Sequence, residues 1–288
     1  MSVLLNSTIE PVQGFDFTVL MAVYWKDDPG LFMSALSSIF QNSMLPRQVV
    51  VVADGEITQE LTEIIEELRE GNNNLSLIKL PKNIGLAGAL NVGLSAVSSE
   101  WVARADADDI NYPDRFEKTF TAIARAEHLL DIVGTAIEEV DERGSKIAVR
   151  SLPAGDEKIK TFLMRRNPFN HMTTVFRTAA AKRAGGYPEL YLKEDYGLWA
   201  KMISQGCRCK NLPDITVTAM TGSDFYARRG GFRYAQAEYG LQRHLYTCRI
   251  KPLWMAILDF LLRGAVFILP EQVRRHIYIR VLRKPFNG

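Results

Sequence analysis

Asp106, Asp108 and Asp109 follow directly on the apolar run Trp101-Val102-Ala103-Arg104-Ala105, and they are the residues of this chain best suited to chemistry. A strand that ends in closely spaced carboxylates offers only oxygen ligands. Residues i and i+2 leave a strand on one face, so Asp106 and Asp108 are expected to converge on one hard divalent cation, Mg²⁺ or Mn²⁺. Such ions take oxygen ligands and share them with substrate phosphates. The stretch therefore reads as a metal-diphosphate site. The same acidic residues could instead form a turn that caps a helix starting near Pro113.

Elements that would position such a site are legible upstream. Phe17 to Tyr24, Gln48 to Ala53 and Leu75 to Leu80 read as buried strands, and Trp101 to Ala105 as a fourth. Between them, Pro29 to Gln41, Thr58 to Arg69 and Leu86 to Val97 carry apolar residues at helical spacing. This alternation predicts an α/β fold, a mainly parallel Rossmann-like sheet flanked by helices. Ligands in such sheets sit beyond the carboxyl ends of the strands, where Tyr24, Asp54, Asn83 and Asp106 fall. Further on, the spacing predicts a helix from Pro113 to about Leu129 and two strands around the turn Asp141 to Gly144. It also predicts a helix at Lys158 to Arg166, a strand at His171 to Phe176, a helix at Glu194 to Ser204 and a strand at Ile215 to Met220. Neither a repeat nor a low-complexity linker interrupts this run, so residues 1–222 are expected to form one domain and residues 223–288 a basic loop with a helical tail.

The 288 residues are 47% hydrophobic and 24% charged, the balance of a globular chain rather than a disordered one. Met1 to Asp16 has neither the basic nor the apolar region of a secretory signal, so a cytoplasmic location is expected. Cys207, Cys209 and Cys248 make neither a disulfide set nor a four-ligand zinc pattern and are expected to be reduced thiols. The net charge of +2 conceals a division. From Arg228 onward twelve Lys and Arg face three acidic residues, which gives +9 there and −7 for the rest. A basic tail calls for an anionic partner, nucleic acid or membrane. The apolar stretch Leu253 to Leu269, broken by Asp259 and Arg263, favours the membrane. It is too short and too charged to span a bilayer, and it fits a helix lying in the interface, with Trp254 as an anchor and Arg274 to Lys284 on the headgroups. Packing of that helix on the main domain is the alternative.

Five motifs in order resemble those of the family-2 glycosyltransferases with the GT-A fold. They are Val23-Tyr24, Val52-Ala53-Asp54-Gly55, the run Asn83-x-Gly85-Leu86-Ala87-x-Ala89-Leu90-Asn91-x-Gly93, Ala105-Asp106-Ala107-Asp108-Asp109, and Glu194-Asp195-Tyr196-x-Leu198-Trp199. Tyr24-x-Lys26-Asp27 and the basic tail look more narrowly like bacterial enzymes that build O-antigen and exopolysaccharide repeat units on undecaprenyl-diphosphate sugars. Ala22, Trp25 and Ala53 depart from the usual residues around the first two motifs. The Gln-x-x-Arg-Trp sequence of processive synthases is absent, so a single sugar is expected per encounter.

The resemblance implies that Val23, Tyr24, Asp54, Asn83, Gly85, Asn91, Arg104 and Asp106 bind the nucleotide sugar, with Asp54 accepting from the uracil N–H. It assigns the metal to Asp108, with Asp106 on the ribose or the metal and Asp109 in support. An acceptor hydroxyl needs a base within hydrogen-bond reach, and Asp195 is that base, with Glu194 as a neighbour that orients or tunes it. One displacement with one base inverts the anomeric centre. His171 and Trp199 are candidates for the acceptor pocket, and Arg228 and Arg229 for a mobile phosphate-binding loop. The expected activity is transfer of one hexose, galactose from UDP-galactose in β linkage, to a GlcNAc- or GalNAc-diphospho-undecaprenol at the cytoplasmic face of the inner membrane. UDP-glucose is the alternative donor, and a catalytically inactive sugar-nucleotide-binding protein the alternative class. A nucleotidyltransferase would carry a Gly-rich basic loop where this chain has Trp25 to Pro29, and an aspartyl phosphohydrolase would place Asp-x-Asp after the first strand. Nucleic-acid binding leaves the apolar Leu253 to Leu269 stretch without a use.

Overall fold

β1 (Phe17–Val23) and β2 (Gln48–Ala53) are runs of apolar residues because both of their faces are covered. The computed structural model describes residues 14–127, 129–220 and 230–268. Val19 pairs in parallel with Val49 of β2 on one side and with Ala103 of β4 (Trp101–Arg104) on the other, and β3 (Leu75–Lys79) extends β2. Alternation along β1 sends Phe17, Val19, Met21 and Val23 to one core and Leu20 and Ala22 to the other. α1 (Pro29–Phe40) and α2 (Gln59–Gly71) cover the first face. α1 begins where the Asp28 carboxylate caps the Leu31 N–H at 2.9 Å, with Pro at its first turn, and α2 where the Thr58 hydroxyl caps Leu61. α3 (Leu86–Ala96) covers the second face and lies so close to the sheet that a Cβ on Gly93 would meet Leu20 Cδ1 at 2.3 Å.

The sheet continues beyond β4 with mixed polarity. Its order is β3, β2, β1, β4, β8 (Val175–Arg177), β6 (Ile132–Val140), β9 (Cys209–Met220) and β5 (Ile110–Asn111), and β7 (Lys146–Arg150) pairs with β6 off this path. β8 runs antiparallel to both β4 and β6, whereas β9 is parallel to β6. The fold is thus the expected α/β one, a mixed sheet with helices on its faces. α4 (Arg115–Arg125), α5 (Asp156–Leu163), α6 (Thr178–Ala184) and α7 (Glu194–Ser204) complete the layers.

Local readings differ in several places. His171–Thr173 is a 3₁₀ turn rather than the start of a strand, because Thr173 and Thr174 bond back to Asn170 and His171, and β8 begins only at Val175. β9 starts six residues before the expected Ile215, its polar residues Asn211 and Thr216 being buried against β6 and the loops around Pro153 and Pro168. Cys207, Cys209 and Cys248 are free thiols, as expected.

The carboxyl-terminal described part is a helical hairpin of α8 (Phe232–Thr247) and α9 (Leu253–Ile268). Asp259 and Arg263, which interrupt the apolar pattern in the sequence, both turn toward the protein. Asp259 accepts from Lys251 at 2.7 Å and lies 3.8 Å from the Arg165 guanidinium, and Arg263 reaches the Glu238 carboxylate at 3.4 Å. The outward face is consequently all apolar: Leu253, Trp254, Ile257, Leu258, Leu261 and Leu262 are exposed, Trp254 to 63%. No helix among the described residues is long and apolar enough to cross a membrane.

Candidate active site

Four strand ends and two loops of the second half meet at one edge of the sheet. β1 ends in Val23, whose carbonyl accepts from Asp54 N, and Tyr24 N donates to the Asp27 carboxylate at 2.9 Å. Asp54 follows β2. Its two oxygens accept from the backbone N–H of Ile84 at 2.7 Å and of Gly85 at 3.0 Å, while Asn83 Nδ2 donates to the Asp54 carbonyl at 3.1 Å. Asp54, Asn83 and Gly85 are thus brought together as expected. The approach is close enough that a Cβ on Gly55, itself at φ +88°, would meet Asn83 N at 2.7 Å. A cleft of about 530 Å³ opens beside them, lined by Trp25, Asp54, Thr58, Lys82 and Asn83 among others. Each oxygen of a carboxylate accepts more than one hydrogen bond, so Asp54 can hold the loop and still accept from a nucleobase.

Asn91 is placed differently. Its amide donates to the Tyr187 carbonyl at 2.8 Å and accepts from the Tyr187 N–H at 2.7 Å, and so it fixes the loop that carries Tyr187. Arg104 is 1% exposed and turns inward, donating to the Asp106 carboxylate and to the Leu20 and Ala105 carbonyls. Arg115 stands behind it, fully buried, and donates to the Arg104 carbonyl. Trp199 is a correction to the acceptor-pocket expectation: it is 0% exposed and packs edge-on against Phe169 and Phe176, each 5.5 Å away, so no face is available to a sugar. Arg228 and Arg229 lie outside the described residues, as does Arg274 to Lys284.

β4 stops at Arg104, so the acidic triplet lies in the turn after the strand and not on it. Ala107 and Asp109 face inward and Asp108 outward, and Asp109 accepts from Met220 N at 3.1 Å, tying the turn to the end of β9. Glu194 and Asp195 open α7, where the unpaired N–H groups of a helix start favour acidic residues. Asn167 Nδ2 donates to one Asp195 oxygen at 2.5 Å and Tyr196 N to the other at 2.7 Å, which fixes the plane of the carboxylate. His171 Nε2 is 3.2 Å from the Tyr187 hydroxyl, and burial, followed by the positive Arg104, holds its pKa well below the ordinary value, so the imidazole is neutral.

These carboxylates feel one another. Burial, then Asp195, raises Glu194 to about 7, with Asp106 adding to the effect. Burial raises Asp27 to about 7, with Asp108 and Asp106 contributing, and the same two residues together with burial hold Asp109 well above the carboxylate range. Negative charge is therefore gathered here in excess of the buried Arg104 and Arg115. A divalent cation fits this donor set, since it relieves the repulsion and meets only oxygen. Among the described residues no three such side chains are placed to enclose an ion by themselves, which suits a metal held by one or two carboxylates and by substrate phosphates.

Sequence reasoning gave no role to Asp27, Asn167 or Tyr187. Asp27 had a signal in its place three residues after Tyr24; Asn167 and Tyr187 reach the site through folding alone.

Residues 19–187 match the model of Glycosyl transferase family 2. The chain belongs to this family. Like its relatives it is a glycosyltransferase. It is 35% identical, over 93% of its own length and 97% of the relative's, to the UDP-Gal:alpha-D-GlcNAc-diphosphoundecaprenol beta-1,3-galactosyltransferase of Escherichia coli. It is 34% identical, over 91% and 97%, to the amylovoran biosynthesis glycosyltransferase AmsE of Erwinia amylovora. Its GT-A fold is shared with the mannosyltransferase PcManGT from Pyrobaculum calidifontis, solved with GDP-Man and Mn²⁺, at a TM-score of 0.65 and 18% identity over 95% of this chain and 78% of that one.

Proposed function

We propose that this glycosyltransferase moves one galactose from UDP-galactose, with inversion, onto a GlcNAc- or GalNAc-diphospho-undecaprenol acceptor in the synthesis of a surface polysaccharide. The observation that carries the reading is the meeting of the Asp54 cleft, the Asp106 to Asp109 turn and the Glu194-Asp195 helix start at one sheet edge. Likeness to the Escherichia coli galactosyltransferase over nearly the whole of both chains supports the choice of donor and acceptor.

In this reading the Asp54 cleft receives the uridine, with the loop of Asn83 and Gly85 closing on it. Asp108, with Asp106 beside it, would hold Mn²⁺ or Mg²⁺, which neutralises the diphosphate as it leaves. Arg104 fixes Asp106 from behind. Asp195, held by Asn167 and the Tyr196 N–H, takes the proton from the acceptor hydroxyl as that oxygen attacks the anomeric carbon. Glu194 shares the negative charge of the pair. Single displacement turns the α-linked donor into a β-glycoside.

The acceptor is a membrane lipid, and the outward face of α9 suits a peripheral position at the cytoplasmic face of the inner membrane. Its charged residues are paired inside while Trp254, Ile257, Leu258, Leu261 and Leu262 point out. The basic sequence beyond it would meet anionic headgroups.

Purified protein assayed with UDP-Gal, UDP-Glc, UDP-GlcNAc and UDP-GalNAc against a GlcNAc-diphosphate-lipid analogue tests the reading. UDP-Gal should be used fastest and yield a β linkage by NMR. Preference for another donor, or an α product, would overturn the assignment.

A further inference from the structure

The two residues before the acidic pair of α7 are held by the helical hairpin. Leu192 has φ +55°, an uncommon backbone conformation for a branched side chain, and it packs on Tyr234, Ala235 and Phe267. Lys193 is the N-cap residue of α7 and is only 8% exposed. Its ammonium lies 2.9 Å from the Glu238 carboxylate and 4.3 Å from the centre of the Tyr234 ring. Glu238, on α8, is 0% exposed, and it also accepts from Gln242 at 2.6 Å and faces Arg263 of α9 at 3.4 Å. One turn further along α7, His244 Nε2 donates to the Gly197 carbonyl at 2.9 Å.

A buried ion pair is an expensive way to hold two helices together, since well-packed apolar residues do so at no loss of stability. What a buried pair adds is a fixed geometry. The rest of α7 has its own anchorage, with Leu198, Trp199 and Met202 all inside the core. The Lys193–Glu238 contact acts on the end of the helix where Glu194 and Asp195 emerge. We propose that Glu238 is a positioning residue for sugar transfer: through Lys193 it sets the first turn of α7, and with it the direction of the Asp195 carboxylate. The inference rests on the reading of Asp195 as the base. It separates two halves of the reaction, because the donor cleft is built from β1 to β4 and their loops, whereas Glu238 bonds to Lys193 at the start of α7, Gln242 of α8 and Arg263 of α9.

Steady-state kinetics of Glu238→Gln test this. Misplacement of a reacting group by about an ångström costs up to ~100-fold in rate, so kcat should fall tenfold or more while the KM for UDP-galactose stays within about twofold. Glu238→Gln leaves the Lys193 charge without its main partner, so the Lys193→Met/Glu238→Gln double variant is measured beside it. There the thermal midpoint should return toward that of the native protein while kcat stays low. Wild-type kcat in Glu238→Gln, or kcat that recovers together with the thermal midpoint in the double variant, would make the pair a plain packing element. Asp195→Asn serves as the separate control. Native turnover in that variant overturns the base assignment and this proposal with it, whereas an inactive Asp195→Asn beside a fully active Glu238→Gln removes the positioning role alone.

Discussion

Replacing Glu194 by Gln removes a charge that burial, Asp195 and Asp106 all oppose, and its effect on stability has a sign and a size that follow from the site. The carboxyl titrates at about 7 in the fold against an ordinary 4.5. A group whose pKa is raised on folding contributes stability that is complete below its unfolded value and is lost as pH climbs through the folded one. At ~1.4 kcal/mol per pH unit, the interval from 4.5 to about 7 corresponds to a loss of about 3 kcal/mol by alkaline pH. Gln keeps the shape and stays neutral throughout, so the variant escapes that loss. Below pH 4.5 the two proteins should melt together, and by pH 8.5 the variant should be the more stable. For a chain of this size ~2 °C per kcal/mol is typical, so the gap in thermal midpoint should reach about 6 °C. Circular-dichroism melts between pH 4 and 8.5, in EDTA so that no bound cation offsets the repulsion, give the comparison. Two parallel curves, or a variant that is less stable at pH 8.5, would falsify the account of Glu194 as a buried carboxyl crowded by its neighbours.

Three further outcomes are expected. Asp108→Ala should lose transfer activity, and Mn²⁺ with UDP should raise the thermal midpoint of the native protein but not that of the variant; an equal rise in the variant would place the ion elsewhere. Trp199→Ala should cost ~3–5 kcal/mol in urea unfolding, the range for truncating a large buried aromatic, whereas a loss of acceptor affinity with unchanged stability would return Trp199 to the sugar site. Leu261→Glu with Leu262→Glu should abolish flotation with anionic liposomes and leave the melting curve unchanged, because both side chains are exposed; a variant that still floats would show that this face does not carry the binding.

How much of this was readable beforehand depends on how local each feature is. Strands β1, β2 and β4 are buried on both faces, so they appear in the chain as apolar runs, and α1 and α2 carry their caps, Asp28 and Thr58, within a few residues. The ends of those strands must share an edge in a parallel sheet, and this placed Asp54, Asn83 and Asp106 together without coordinates. The second half obeyed no such rule. Its strands mix parallel and antiparallel pairing, β8 is only three residues long, and hydroxyl and amide bonds from Asn170, Thr173 and Thr174 turned a β-branched run into a 3₁₀ turn.

Periodicity and spacing are properties of neighbours along the chain, so the parallel half-sheet, the family motifs and the gathering of acidic residues were all legible in it. Which of those residues stay accessible was settled only when the chain folded. Trp199 went to the core because Phe169 and Phe176, distant in the chain, close around it. Asn91 gained a partner in Tyr187 and Arg104 one in Asp106. The charges of α9 turned inward because Lys251, Glu238 and Arg165 await them there, which left the outer face apolar. Hydrogen bonds and ion pairs between remote residues are satisfied or not only when the chain has folded, and pKa values follow burial and the company that folding assembles.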